Sequence, residues 1–79
     1  MRVVPRYYFD YVDGDQEIHD DEGLDMASLD EARTQAVRAI GELAKGKMPD
    51  GNHRDFRLKI HEKNGPVLMV VSLSLRVQR

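Results

Sequence analysis

The sequence predicts an α+β fold, in which one helix packs on one face of an antiparallel sheet of three to four strands, in the order β-β-α-β-β. Three observations lead to this prediction. An alternating aromatic segment opens the chain, a segment with helical periodicity follows, and two alternating apolar segments joined by a turn close it. One helix across one sheet is the economical way to bury these apolar faces. We expect the 79 residues to form a single small domain, residues 1–79, near the lower size limit for an independent core.

The first strand is predicted over Arg6 to Val12. Because side chains alternate between the two faces of a strand, one face carries Tyr7, Phe9 and Tyr11, and the other carries Tyr8, Asp10 and Val12. Asp13-Gly14 is a tight-turn signal. It is followed by a predicted short return strand around Gln16 to His19, whose single apolar residue is Ile18.

The helix is predicted to begin at a capping box. In this motif the Ser28 hydroxyl accepts from the Glu31 amide, and the Glu31 side chain reaches back to the Ser28 amide. Gly46 is expected to cap the other end, and Gly41 is interpreted as a site of close packing. The residues that recur at helical spacing form one apolar stripe: Leu29, Ala32, Ala36, Val37, Ile40, Leu43 and Ala44.

Two strands and a hairpin are predicted after the helix. The first covers Arg54 to Glu62, the turn at Asn64-Gly65 is expected to be of type I′, and the last strand begins at Val67. The two strands and the helix supply most of the predicted core: Phe9, Ile40, Phe56, Leu58, Ile60, Met69, Val71 and Leu73.

The second face of this sheet has no layer to cover it. It is expected to expose four apolar or aromatic side chains beside Arg57, Lys59 and His61. Apolar side chains exposed at this density indicate an interface. The sequence therefore predicts a homodimer, formed through the sheet face or its edge, with these interface residues: Tyr8, Val12, Leu68 and Val70.

An acidic segment follows the first strand. Eight of the fourteen carboxylates lie within the sixteen residues from Asp10 to Asp25. Residues 1–32 carry ten acids and two bases (−8), whereas residues 33–79 carry ten bases and four acids (+6). This split can orient docking to a charged partner, or the charges can neutralise one another within the fold. The candidate surface for a basic protein partner comprises Asp13, Asp15, Glu17, Asp20, Asp21 and Glu22.

No catalytic, cofactor or metal site is predicted. Placing either Gly14 or Gly23 at the glycine of an EF-hand loop puts Phe9 or Ile18 at its first ligand position, so that motif is absent. The histidines have no recognised ligand spacing, and no nucleophile or phosphate-loop motif occurs. The sequence thus favours a non-enzymatic protein, although an acidic cluster such as His19-Asp20-Asp21 leaves weak cation binding as an alternative.

The composition also indicates a location and a partner class. The chain has no cysteine, no apolar run long enough to cross a bilayer and no signal-peptide pattern in its first residues, so we expect a cytoplasmic protein. Six basic residues on the predicted terminal hairpin suggest nucleic-acid binding. The acidic isoelectric point, about 5.8, argues against it because the acidic loop would repel phosphate.

Several segments together resemble a family of short bacterial proteins classed as a domain of unknown function. They are Pro5-Arg6-Tyr7-Tyr8-Phe9-Asp10, Asp13-Gly14, Asp21-Glu22-Gly23, Ser28-Leu29-Asp30-Glu31-Ala32 and Asn64-Gly65-Pro66-Val67. This resemblance implies a small cytoplasmic bacterial protein and transfers no catalytic residue.

Residues 6–44 are also distantly similar to HicB-like antitoxins, which have a Tyr-Tyr strand, a turn, and a helix entered through Ser/Thr-Leu-x-Glu-Ala. The uncovered apolar face of the sheet leads us to expect a non-enzymatic protein-interaction module that self-associates through its sheet. The alternative is a HicB-like antitoxin or regulator that binds a basic toxin or nucleic acid, which rests on fold analogy.

Overall fold

The computed structural model of the protein describes residues 4–45 and 53–78. They form β1 (Arg6–Asp13), β2 (Gln16–Ile18), β3 (Leu24–Asp25), α1 (Leu29–Ala44), β4 (His53–His61) and β5 (Val67–Arg76). The α+β class with one helix and an antiparallel sheet is confirmed. The sheet has five strands, in the chain order β-β-β-α-β-β, because β3 adds a two-residue strand to the predicted arrangement.

The sheet is built around β1 and β4, which pair with each other in its centre. Their register runs from Tyr8 opposite His61 to Asp13 opposite Phe56. β5 pairs with the other side of β4 along most of its length, with a bulge next to His61. The spatial order is β2-β1-β4-β5, and β3 also pairs with β1. Among the described strands, β5 is thus bonded on one edge only.

The two predicted turns differ in how closely they follow their sequence signals. Gly14 has φ +60°, the positive value that a type II′ hairpin requires at its first central position. The expected type I′ turn at Asn64-Gly65 is wrong, because Asn64 has φ +56° and Gly65 has no positive φ. Proline explains the difference, since Pro66 restricts the residue before it to extended conformations. The turn closes through a hydrogen bond of 3.0 Å from the Gly65 amide to the Glu62 carbonyl.

The capping box that starts α1 is present with one change of partner. The Ser28 hydroxyl accepts from the Glu31 amide at 3.2 Å. The Glu31 carboxylate accepts from the Ala27 amide at 2.8 Å, one residue earlier than expected. At the other end Lys45 is extended and donates its amide to the Gly41 carbonyl. The predicted cap at Gly46 lies outside the described residues.

The core lies between α1 and the sheet. The helix contributes residues at four-residue spacing, which share one face: Ala32, Ala36, Ile40 and Ala44. They pack with the buried Tyr7, Phe56, Leu58 and Ile60. The small alanines allow the helix to approach β4 and β5 closely, whereas Val37 and Leu43, on the two flanks of the stripe, are exposed. The other predicted core residues are partly buried against this cluster: Phe9, Met69, Val71 and Leu73.

The polarity and length of the one helix in the described ranges bear on membrane association. α1 has 16 residues, among them several charged ones. It is not long and apolar enough to cross a membrane.

Candidate functional site: the uncovered sheet face and the edge of β5

The face of the sheet opposite α1 carries an aromatic pair at one end. Tyr8 of β1 lies directly opposite His61 of β4. Their rings stack with centroids 5.6 Å apart and planes at 16°. Tyr8 is therefore only partly exposed, because His61 covers one side of its ring.

Val12 was expected on the same face as an exposed interface residue, and this expectation of exposure is wrong. Only 6% of Val12 is accessible to solvent. The register explains its burial, since Val12 lies between Glu17 of β2 and Arg57 of β4, and Lys59 lies two residues from Arg57 on the same face. The Lys59 ammonium and the Glu17 carboxylate meet at 3.0 Å. This ion pair crosses β1 and shields Val12, so a polar contact takes the place of an apolar patch.

The apolar part of the face lies on β5, where two predicted interface residues are exposed as expected. Leu68 is 43% accessible and Val70 is 49% accessible. Val70 lies opposite Lys59, and Ser72 lies opposite Arg57. The exposed apolar surface is thus concentrated beside the edge of the sheet rather than spread over its centre.

The outer edge of β5 is the most extended unpaired backbone in the described sheet. β5 has ten residues, and it bonds to β4 along its inner edge. From Val67 to Leu75 it contains no charged residue, proline or glycine. Charged residues and proline commonly protect an edge strand from pairing with another chain. The bulge, another such feature, affects β5 only at Leu68, near its start.

Asp10 forms the polar centre of the uncovered face. It is the buried charged residue among those described, with 8% accessibility. Its Oδ2 lies 2.9 Å from His61 Nε2 and 3.4 Å from His19 Nδ1, and its Oδ1 accepts from the Asp20 amide at 3.0 Å. Burial raises the pKa of Asp10, but the Asp20 amide and the two imidazoles outweigh it, so the pKa lies below its ordinary value.

His61 faces an acceptor at each of its ring nitrogens. Nε2 meets the Asp10 carboxylate, and Nδ1 lies 2.7 Å from the Glu62 carbonyl oxygen. These two contacts tie the end of β4 to the centre of β1.

Asp20 organises the loop between β2 and β3. Its Oδ1 accepts from the amides of Glu22 and Gly23, both at 3.1 Å, and its Oδ2 accepts from the Phe9 amide at 3.1 Å. Burial acts to raise the pKa of Asp20, but these three hydrogen bonds prevail, and the pKa is lowered. Asp20 is consequently a structural residue rather than part of a free acidic surface.

The loop bends at Gly23, which has φ +70°. A side chain there would come within 3.0 Å of the Tyr7 carbonyl oxygen and of the Tyr8 ring, and within 2.9 Å of Arg6 Cγ. Glycine allows the loop to lie against β1. The bend also shifts the register, since continuing β2 would place Glu22 opposite Tyr7, which in fact pairs with Leu24.

The six residues of the predicted acidic surface separate into two groups. Asp13 holds Arg54 through two contacts of 2.7 and 3.0 Å, while Glu17 holds Lys59 and Asp20 holds the loop. The charge asymmetry of the sequence is therefore partly neutralised across β1 and β4. The remaining three are exposed: Asp15, Asp21 and Glu22.

One cluster that the sequence did not reveal has the composition of a cation site. Ligand atoms of Asp10, Glu17 and His19 lie within 4.8 Å of one another. Two of them already have partners on β4, since Asp10 contacts His61 and Glu17 contacts Lys59. A cation would have to compete with both. Only the pairing register brings these residues together, so their spacing in the sequence gave no signal.

Two shallow clefts flank the face. One of about 420 Å³ lies near Arg57, Ser72 and Ser74, where the Ser74 hydroxyl donates to Asp55 at 2.6 Å. The other, about 260 Å³, lies beside Tyr8 and His61. Both are open to solvent and lined by charges of both signs, so they resemble grooves of a contact surface more than an enclosed pocket for a small molecule.

The fold and this surface define a small α+β domain with one uncovered sheet face and one unpaired sheet edge. Residues 6–74 match the model of the protein family described as a domain of unknown function, DUF6894. The match covers most of the chain, so the protein belongs to this family. No curated protein and no solved structure shows significant similarity to this chain.

Proposed function

We propose that this protein is a non-enzymatic, cytoplasmic interaction module that self-associates through its sheet. The observation that carries this proposal is the outer edge of β5, where ten residues of extended backbone have one bonded neighbour among the described strands. Unpaired strand edges bind other strands because their amide and carbonyl groups gain hydrogen bonds. The absence of charged residues and proline from Val67 to Leu75 supports this role.

The side chains next to that edge support the same function. Leu68 and Val70 keep almost half of their surface in water, although the domain has few large residues in its core. Covering apolar surface stabilises a small domain, because burial contributes roughly 25 cal/mol per Å². A second copy would supply this cover, as would any other protein with an apolar strand.

Light scattering on a size-exclusion column tests self-association. We expect the purified protein to be a dimer at micromolar concentration, and Val70→Glu to shift it towards the monomer, because charged side chains on an edge strand oppose pairing with another chain. Val37→Glu is the matched control, because Val37 on α1 is 51% accessible and Val70 is 49% accessible. A wild-type protein that remains monomeric at several hundred micromolar would refute the proposal.

A second candidate is a HicB-like regulator that binds a basic protein or nucleic acid. The exposed carboxylates favour a basic protein, since Asp21 and Glu22 are adjacent in the loop between β2 and β3, while Asp15 lies in the turn before β2. The pairing of Asp13 and Glu17 with β4 reduces the available negative charge and weakens this candidate. Binding of a basic partner at low salt that Asp21→Asn and Glu22→Gln reduce would support it. Equal binding by these variants would exclude the acidic surface as the contact.

A further inference from the structure

We propose that two copies of the chain pair their β5 strands antiparallel, about a twofold axis at Ser72, to form one continuous sheet. This inference rests on the proposed function and specifies which of the two surfaces, edge or face, makes the contact. The partner is a second copy of this chain, joined mainly by backbone hydrogen bonds.

The backbone amide and carbonyl groups of β5 point alternately towards β4 and towards the outer edge of the sheet. In antiparallel sheets the amide and carbonyl of one residue point to the same edge, and the next residue points to the other. The Phe9 amide points to Asp20, away from β4, and the Asp55 carbonyl accepts from Gly14, on the side of β1. Continuing this alternation through the register of β4 and β5 directs four residues of β5 outward: Val70, Ser72, Ser74 and Arg76.

The side chains make this edge compatible with itself. Arg76 is the charged residue of β5, and it lies at one end. In an antiparallel arrangement the two copies of Arg76 lie at opposite ends and do not repel each other. By contrast, the opposite edge of the sheet consists of β2 and β3, which have three and two residues and carry Glu17 and Asp25. The long neutral edge is therefore the one suited to a second strand.

With this twofold axis, residues of the uncovered face meet residues of the uncovered face in the second copy, and helix-side residues meet helix-side residues. With the axis at Ser72, Ser72 faces its own copy and Val70 faces Ser74 of the second copy. All three residues belong to the uncovered face. On the helix side the same arrangement places Val71 opposite Leu73, both partly buried, so apolar side chains meet there. The axis lies near the middle of β5, which lets almost the whole strand overlap.

Single cysteines provide a direct test, because the chain has no cysteine of its own. We would oxidise Ser72→Cys, Arg76→Cys, Tyr8→Cys and Val37→Cys separately and follow the disulfide-linked dimer on non-reducing gels. Ser72→Cys is expected to form the dimer at least about tenfold faster than Val37→Cys, because pairing raises the local thiol concentration. Arg76→Cys should not form the disulfide-linked dimer at this faster rate, since the two thiols would lie about 27 Å apart along the strands.

Together, the crosslinking rates and the light scattering separate two questions: whether the protein forms a dimer, and whether the dimer pairs through the β5 edges. A dimer by light scattering that links through Tyr8→Cys and not through Ser72→Cys would overturn edge pairing and indicate stacking of the faces. Linking at Arg76→Cys as fast as at Ser72→Cys would overturn the twofold antiparallel arrangement. A monomer in light scattering, with all four variants equally slow, would overturn both this inference and the proposed function.

Discussion

The carboxylate of Asp20 takes the place of a strand carbonyl for the backbone of Phe9. Its Oδ2 accepts the Phe9 amide at 3.1 Å, in the gap where β2 has ended and β3 has not begun. The edge of β1 thus keeps its hydrogen bonding although the neighbouring chain loops away. A partly buried amide without an acceptor would cost free energy, so this contact is part of the fold.

Replacing Asp20 with alanine is expected to destabilise the protein by about 2–3 kcal/mol, because three backbone amides lose a charged acceptor. The free energy of unfolding from urea titration measures this loss. Asp21→Ala is the matched control, since Asp21 is exposed, and it should change stability by less than about 0.5 kcal/mol. Equal effects of the two substitutions would contradict the role given to Asp20.

Gly23→Ala is expected to cost more stability than Gly14→Ala. Both glycines have positive φ, so both substitutions impose a backbone cost of roughly 1 kcal/mol. At Gly23 the added methyl also meets Tyr7 and Tyr8, whereas at Gly14 it meets open space. Thermal or urea unfolding should show an additional loss of about 1–3 kcal/mol for Gly23→Ala. A larger loss at Gly14 would show that the contacts at Gly23 relax without cost.

Gly41→Ala is expected to stabilise the protein by about 1 kcal/mol, because alanine loses less backbone entropy in a helix. The interpretation of Gly41 as a close-packing site is wrong, since a Cβ there would have no neighbouring atom within 4 Å. Urea unfolding of this variant should give a higher midpoint with an unchanged slope. A lower midpoint would mean that the exposed side of α1 is covered in solution.

Acid is expected to destabilise the fold through Asp10 and Asp20. Both pKa values are lowered in the folded state, so the unfolded chain takes up protons first as the pH falls. Their contribution is complete above the ordinary carboxyl value of about 4 and is lost as the pH falls towards the lower folded values. Urea unfolding at several pH values between 7 and 2 should show this loss.

Two substitutions separate this effect from general acid denaturation. Asp20→Asn removes one of the two carboxyls, so its stability should fall less steeply with acid than that of the wild type. Asp21→Asn should retain the wild-type slope, because Asp21 makes no comparable contact with the backbone. If Asp20→Asn kept the wild-type slope, the acid sensitivity would have to come from other carboxyls.

Much of the fold follows from local patterns in the sequence. The alternation in β1 and β4 indicates which face meets the helix, and Ser28 with Glu31 marks the start of α1. The strand β3 was not predicted, because a strand of two residues is too short to show an alternating pattern and Leu24 is exposed. The pairing of Leu24 with Tyr7 depends on the bend at Gly23, which a helix or strand pattern does not describe.

The surface was less predictable because it depends on register. Alternation places Asp10 and His61 on the same face, but it does not say that Asp10 Oδ2 and His61 Nε2 lie 2.9 Å apart. The burial of Val12 has the same origin, since it depends on the long side chains that the register places beside it on β2 and β4. Leu68 and Val70 were predicted correctly as exposed, because β5 is the last strand of the sheet.

The loop held by Asp20 also limits how large an assembly can become. It leaves β2 and β3 too short and too irregular to template another strand, so the sheet can be extended on one side only. A heterologous contact repeated from copy to copy would need two open sides and would grow into a filament. If β5 pairs as proposed, the chain's own loop closes the other side of the sheet, so pairing would end after a single step and the assembly would be a dimer rather than a filament.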